Sequence, residues 1–180
     1  MKLFTIGHGN HGIDKLLDLL DTNGVRTVVD VRTMPFSRYS PQFNKTDLDA
    51  VLAARDIRYL FAGKYLGGRP ADPTCYKSGI LPVEGTDYLH EVDYAEVMKR
   101  DWFLKGIHRL LELADLRTTS ILCSEEDPAR CHRHHLISKY ILAQDSEADV
   151  RHIRGDGNVY PATTILKTVD KPAATQHTLF

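Results

Sequence analysis

Cysteine is scarce in this 180-residue chain: Cys75, Cys123 and Cys131 are all it holds, with no Cys-x-x-Cys pair among them. An odd number of widely spaced thiols supplies no disulfide framework of the kind that staples small secreted domains, and no paired motif for a structural zinc. Met1-Lys2 leads straight into strand-like Leu3 to Ile6, so no cleavable signal is expected, and reduced thiols in a cytoplasm are. Charge of one sign is lacking too. A formal net charge of −1 excludes a protein whose whole surface grips nucleic acid, although a local basic pocket stays open. No apolar run approaches the roughly 20 residues that cross a bilayer, so no membrane partner is expected. Internal repeats and low-complexity tracts are also missing.

What is there is an ordinary globular composition, 42% hydrophobic, enough for one compact core. Short strand-like runs alternate with helical patterns, the mark of parallel βαβ units. The runs are Leu3 to Ile6, Thr27 to Val31, Ile57 to Phe61, Thr119 to Cys123 and Val150 to Ile153. Between them Ile13, Leu16, Leu17 and Leu20 repeat at helical spacing until Asn23-Gly24. Leu48, Val51 and Leu52 follow a capping Asn44, and Tyr94 to Leu111 gives one helix or two. The expected fold is a single three-layer α/β/α domain over residues 1–166, with a mostly parallel sheet of about five strands, order 3-2-1-4-5, and a frayed tail over 167–180. From Ala62 to His90 glycines and prolines are too frequent for a regular element, and a loop this long is more often a lid or binding segment than filler.

Chemistry crowds into Thr119 to His135. A buried strand ends at Cys123, and Asp127-Pro128 predicts a helix start just beyond. In a parallel sheet the strand ends lie along one edge, so Gly7-His8-Gly9-Asn10, Asp30-Val31-Arg32, Gly63-Lys64-Tyr65 and Cys123-Ser124-Glu125 should meet in one pocket. Gly7-His8-Gly9 is read as a close backbone approach, not as a dinucleotide fingerprint.

These segments also carry a resemblance. Thr5 to Asn10, Asp30-Val31-Arg32 through Pro35, Ser37-Arg38 and Phe43, Leu66-Gly67-Gly68, and Leu122-Cys123 through Cys131-His132-Arg133 resemble, in order from about residue 3 to 153, the hallmark blocks of the bacterial and archaeal domain of unknown function family 488. The resemblance implies an α/β domain with an uncharacterised active site tied to nucleotide or nucleic-acid processing.

Each candidate has a bland reading beside its functional one. Asp30 and Glu125 are strand-end carboxylates suited to activating water, with His132 or His8 supplying a proton. Against this, Asp30 would serve only to anchor Arg32, and His8 only to bond a turn carbonyl. Glu126 and Asp127 can answer the helix dipole, which leaves Glu125 free. Arg32, Arg38, Arg69 and Arg133 form a candidate anion clamp, the alternative being surface ion pairs. Phe36, Tyr39, Phe43 and Tyr65 suit base stacking, or else plug two loops. Asn10, Cys123 and Ser124 complete the ligand-binding set. His134 and His135 should turn aside or outward.

Three function classes follow. A hydrolase or glycosidic-bond enzyme on a phosphate-bearing small molecule or nucleic acid is the first choice. Sulfur transfer through Cys123, as in rhodanese-like domains, is opposed by the acids at 125–127, and Arg130 falls one position late for a Cys-x5-Arg loop. A non-catalytic nucleotide or nucleic-acid binding module is the third. No cofactor is required and no metal ligand set is assigned. A catalytic divalent metal stays open, because Cys131 and His135 stand at i and i+4 with Cys123 or His8 to complete a set. The sequence does not give the oligomeric state.

Overall fold

The computed structural model describes residues 1–83 and 85–165. In chain order its elements are β1 (Lys2–Gly7), α1 (Ile13–Thr22), β2 (Thr27–Asp30), α2 (Lys45–Ala53), β3 (Arg58–Phe61), α3 (Gly63–Leu66), α4 (Tyr88–Glu91), α5 (Tyr94–Val97), α6 (Asp101–Leu116), β4 (Thr119–Cys123), α7 (Lys139–Gln144), β5 (Asp149–Ile153) and β6 (Val159–Pro161). The expected tail over 167–180 lies outside the described residues. Within the expected loop, α3, α4 and a 3-10 turn at Pro73–Cys75 replace part of the irregular chain.

The six strands form one sheet in the order β3-β2-β4-β1-β5-β6. All neighbours are parallel except β5 and β6. This departs from the expected 3-2-1-4-5, because β4 inserts between β2 and β1. Hydrophobic periodicity fixes which residues face a core but is silent on which strand lies beside which. β6 is an added strand, three residues long, formed where the Gly155–Asn158 turn folds the chain back on β5.

Period-two alternation divides the sheet into two faces. Phe4, Ile6, Val28, Leu122 and Ile153 pack against Leu16, Leu17 and Leu20 of α1 and Leu48 and Leu52 of α2. Leu3, Val29, Ile121 and Val150 pack against Phe103, Ile107 and Leu110 of α6 and against Leu136, Ile137 and Ile141. The result is an α/β/α sandwich. From β1 the chain moves outward to β2 and β3, then reverses to β4 and β5, which with right-handed crossovers places α1 and α2 on one face and α6 and α7 on the other. Loops leaving β2 and β4 therefore part to opposite faces and open a crevice at the carboxyl ends of the strands.

The helix expected directly after Asp127-Pro128 is interrupted. Asp127 does cap a turn, accepting from the Ala129 N–H, but that turn is 3-10 and ends at an extended Cys131 (φ −136°, ψ 140°). The chain then enters a π-helical stretch, Arg133–Ser138, before α7. Arg133, His134, Leu136, Ile137 and Ser138 are all buried in it, which corrects the outward placement expected for His134.

Candidate functional site

The crevice is held open by a small number of close approaches. Beyond the sheet ladder proper, the His8 and Gly9 N–H groups donate to the Cys123 and Ser124 carbonyls, and the Val31 N–H to the Leu122 carbonyl. The end of β4 is thus gripped from both sides. A Cβ at Gly7 would lie 1.8 Å from the Glu125 carbonyl oxygen, so only glycine lets the loop after β4 fold back over β1. From below, the fully buried Arg133 donates to the Glu125 and Glu126 carbonyls and to Thr5 Oγ1.

Asp30 is completely buried and saturated. Arg32 reaches it through its backbone N–H, Nε and Nη2, and the Tyr59 hydroxyl donates to Oδ2 at 2.7 Å. Burial and the Asp30 charge push the Tyr59 phenol up, so it stays a donor. Arg32 spends its remaining Nη2 valence on the Phe43 carbonyl at 2.8 Å. Asp30 and Arg32 thereby form an internal strut between β2, β3 and the loop before α2. His8 stacks on Phe43 at 4.2 Å between centroids, with Nδ1 2.8 Å from the Gly9 carbonyl and Nε2 3.4 Å from Arg32. The carbonyl requires the proton on Nδ1. Burial lowers the His8 pKa to about 4, so the ring is neutral at physiological pH.

A cavity of about 600 Å³ opens beside this strut, lined among others by Arg69, Tyr88, Glu125, Arg130 and Phe36. On its wall lie Cys123, Cys131 and His132. The Cys123 and Cys131 Sγ atoms are 3.7 and 3.9 Å from His132 Nδ1, and His132 Nε2 is 3.2 Å from the Val31 carbonyl. Gly68 makes room for the imidazole, since a Cβ there would come within 2.6 Å of the ring. Burial opposes ionisation of Cys131, but the bond from Cys123 and the Arg133 charge outweigh it and hold its pKa well below the usual thiol value. Cys123 is pushed well above that value by its bond to Cys131 and by burial, the opposite of what a nucleophilic thiol needs.

Of the acids beyond β4, Glu126 is spent on a bidentate pair with Arg154 and on the Gly155 N–H. The Arg154 bond, opposed by burial, leads in lowering its pKa to about 2. Asp127 caps its turn. Glu125 is exposed to the cavity, and its carboxylate bonds no other described residue. Arg69 lies over the Tyr88 ring at 4.3 Å. Neither Arg69 nor Arg130 pairs with a described carboxylate, so both guanidinium groups are available to an anion.

The site therefore gathers Glu125, His132, Cys123, Ser124 and Arg69 around one cavity, with Asp30, Arg32 and His8 immediately behind as its frame. It does not gather the rest. Asn10 lies with Ser124 in an adjoining hollow of about 330 Å³. Arg38 is turned onto Tyr39, Tyr65 lines a separate apolar cavity of about 410 Å³ beside α6, and Arg133 is a buried support. The four-arginine clamp is not assembled. A larger hollow of about 710 Å³ shares Asp87, Tyr94, Glu125 and Arg130 with the site but excludes the thiols. The Cys131 and His135 pair that the sequence left open for a metal does not form: Cys131 meets His132, because the break at Cys131 cancels helical spacing, and His135 bonds the Ala129 carbonyl. Arg130 and Tyr88 were not assigned from sequence, and Cys131 was weighed as a metal ligand only beside His135, although Cys131 and Arg130 stand inside the crowded block that drew attention.

The family model described as Domain of unknown function DUF488 matches residues 12–140. The chain belongs to that family. The matched span carries β2, β4, the Cys-His cluster and both cavity arginines, while β1 with Gly7 and His8 precedes it and β5 follows. No curated protein and no solved structure matches the chain. As a member of DUF488 it places its ordered motif blocks in space: Asp30-Val31-Arg32 as the strut, Leu66-Gly67-Gly68 as the seat of His132, and Cys123 through Arg133 as cavity wall and support. Gly7, Gly9 and Gly12 do fall at the spacing of a dinucleotide fingerprint, with an acid ending β2. It is the fold that excludes that use. The Glu125 carbonyl covers Gly7, and β4 separates β1 from β2.

Proposed function

We propose that this DUF488 chain is a cytoplasmic enzyme that hydrolyses a phosphate-bearing, nucleotide-like substrate in the cavity between the β2 and β4 loops. One observation carries the reading: the carboxylate of Glu125, unpartnered among the described residues, shares a cavity of about 600 Å³ with two guanidinium groups that lack ion-pair partners among those residues. Arg69 and Arg130 hold the anion. Phe36, 70% exposed at the cavity rim, and Tyr88 offer faces for a base. Glu125 takes a proton from water as its oxygen attacks the substrate, then returns it to the departing atom. Three free cysteines accord with a reducing compartment, and no helix among the described residues is long and apolar enough to cross a membrane.

The test is a screen of nucleotides, nucleosides and short oligonucleotides by thermal shift and product formation. Glu125→Gln should retain binding and lose turnover by roughly 10²- to 10⁴-fold. Arg130→Ala should weaken binding instead. Turnover untouched in Glu125→Gln contradicts the reading, and binding without any turnover points to a sensor module.

A further inference from the structure

We propose that Cys123, Cys131 and His132 form a zinc site with three protein ligands and a fourth position open to the cavity. The site deepens the hydrolytic reading, on which the use of that open position rests. The ligand set itself stands on geometry alone.

Three ligand atoms, Cys123 Sγ, Cys131 Sγ and His132 Nδ1, lie within 4.8 Å of one another. Tetrahedral zinc with ordinary Zn–S and Zn–N lengths sets sulfur and nitrogen about 3.6 Å apart. The observed separations of 3.7 and 3.9 Å meet that figure after a contraction of a few tenths of an ångström at most. The tautomer also fits. The Val31 carbonyl can only accept, so His132 carries its proton on Nε2 and aims the lone pair of Nδ1 at both sulfurs. A histidine ligand whose other nitrogen donates to a backbone carbonyl is the usual supporting arrangement for a bound metal. Without a cation, two thiols compete for one lone pair. With one, three donors converge on a single centre.

Charge and softness favour the same occupant. Two thiolates and one imidazole neutralise a dication, which suits a site where Cys123 and Cys131 are 7% and 3% exposed. Thiolate with imidazole selects zinc over calcium or magnesium. Gly68 belongs to the site as well, because any side chain there would strike the His132 ring. Two cysteines and one histidine leave one coordination position, as catalytic zinc centres do, and the cavity that meets this cluster is the one holding Glu125. A water or a substrate oxygen is the natural fourth ligand there.

The test uses the full chain, expressed with zinc and purified without chelator. Metal analysis should find about one zinc per chain. Cobalt exchanged into the site should show the visible absorption of a tetrahedral centre and thiolate charge-transfer bands. Cys131→Ser and His132→Gln should lose the bound metal and these bands. Should either variant fail to fold, thiol titration of the wild type decides: Cys123 and Cys131 should be shielded by zinc and released by chelator. Substoichiometric metal after zinc dialysis, thiols that react equally with and without zinc, or recovery of Cys123 and Cys131 as a disulfide overturns the site. Bound zinc without turnover on any substrate overturns the hydrolytic reading alone. Undiminished turnover in zinc-free protein overturns the catalytic use of the open position alone.

Discussion

Arg133 shows how much of this site is built by a residue that never meets solvent. Its guanidinium, fully buried, serves backbone carbonyls and a threonine hydroxyl and has no carboxylate partner among the described residues. Arg133→Lys keeps the charge but not the planar fork that spans two carbonyls. Losing at least one charge-assisted bond in a buried place should cost roughly 2–3 kcal/mol, read as a lower denaturant midpoint at unchanged slope. Unchanged stability would remove Arg133 as the support of the 124–127 loop. Gly68→Ala works from the opposite wall. Its methyl group would press on the His132 ring, and overpacking of this kind should cost about 1–3 kcal/mol. It should also displace His132, seen as a shifted ring signal by NMR, whereas Gly79→Ala on an open turn should leave that signal in place.

At the scale of elements, a polar chain threads the otherwise apolar seam between β1, β5 and the π-helical stretch. Arg133 Nε donates to Thr5 Oγ1, Thr5 lies 2.7 Å from His152 Nδ1, and His152 Nε2 lies 3.0 Å from His134 Nδ1. Burial lowers the His152 pKa to about 3, as it lowers that of His8 to about 4. Both rings are neutral in the fold and take up a proton on unfolding once the pH drops below their unfolded value near 6.5. Their contribution is therefore complete above about pH 6.5 and is lost as pH falls toward 4 and 3, by about 3 kcal/mol each at pH 4. Urea melts between pH 7 and 4 should show this decline, and His152→Gln should make it shallower by that ring's share while His8 and the likewise buried His134 keep theirs. A stability profile that is level through this window contradicts the placement of both rings.

Across the whole molecule, the three-layer architecture was legible in the sequence because alternation and helical spacing record which residues must be buried. Leu16, Leu17 and Leu20 or Val28 and Val29 could hardly be read otherwise. Strand order was not legible: the insertion of β4 between β2 and β1 follows from crossovers that skip a neighbour, and nothing local marks them. The same skip brings Asp30 and Cys123 to adjoining strand ends and so helps form the crevice. For the site, the block from Thr119 to His135 announced itself by composition, yet its wiring depended on an extended Cys131 and a π turn that helical spacing does not anticipate. Asp30 and Arg32 were found together as expected of neighbours two apart on a strand end, and the structure shows them bonded to each other, in the arrangement that the bland reading described. Glu125 was singled out because its neighbours could meet the needs of the following turn, and those neighbours are indeed engaged.

The cavity as an anion-holding site is the claim on which the rest depends. Its most direct test is a calorimetric binding isotherm of the best nucleotide from the screen, compared between wild type and an Arg69→Ala/Arg130→Ala double variant at matched salt. Loss of two charge-assisted contacts should weaken binding by roughly 100-fold or more while the melting temperature of the free protein stays put. An affinity equal to that of the wild type would place the ligand elsewhere and contradict the account.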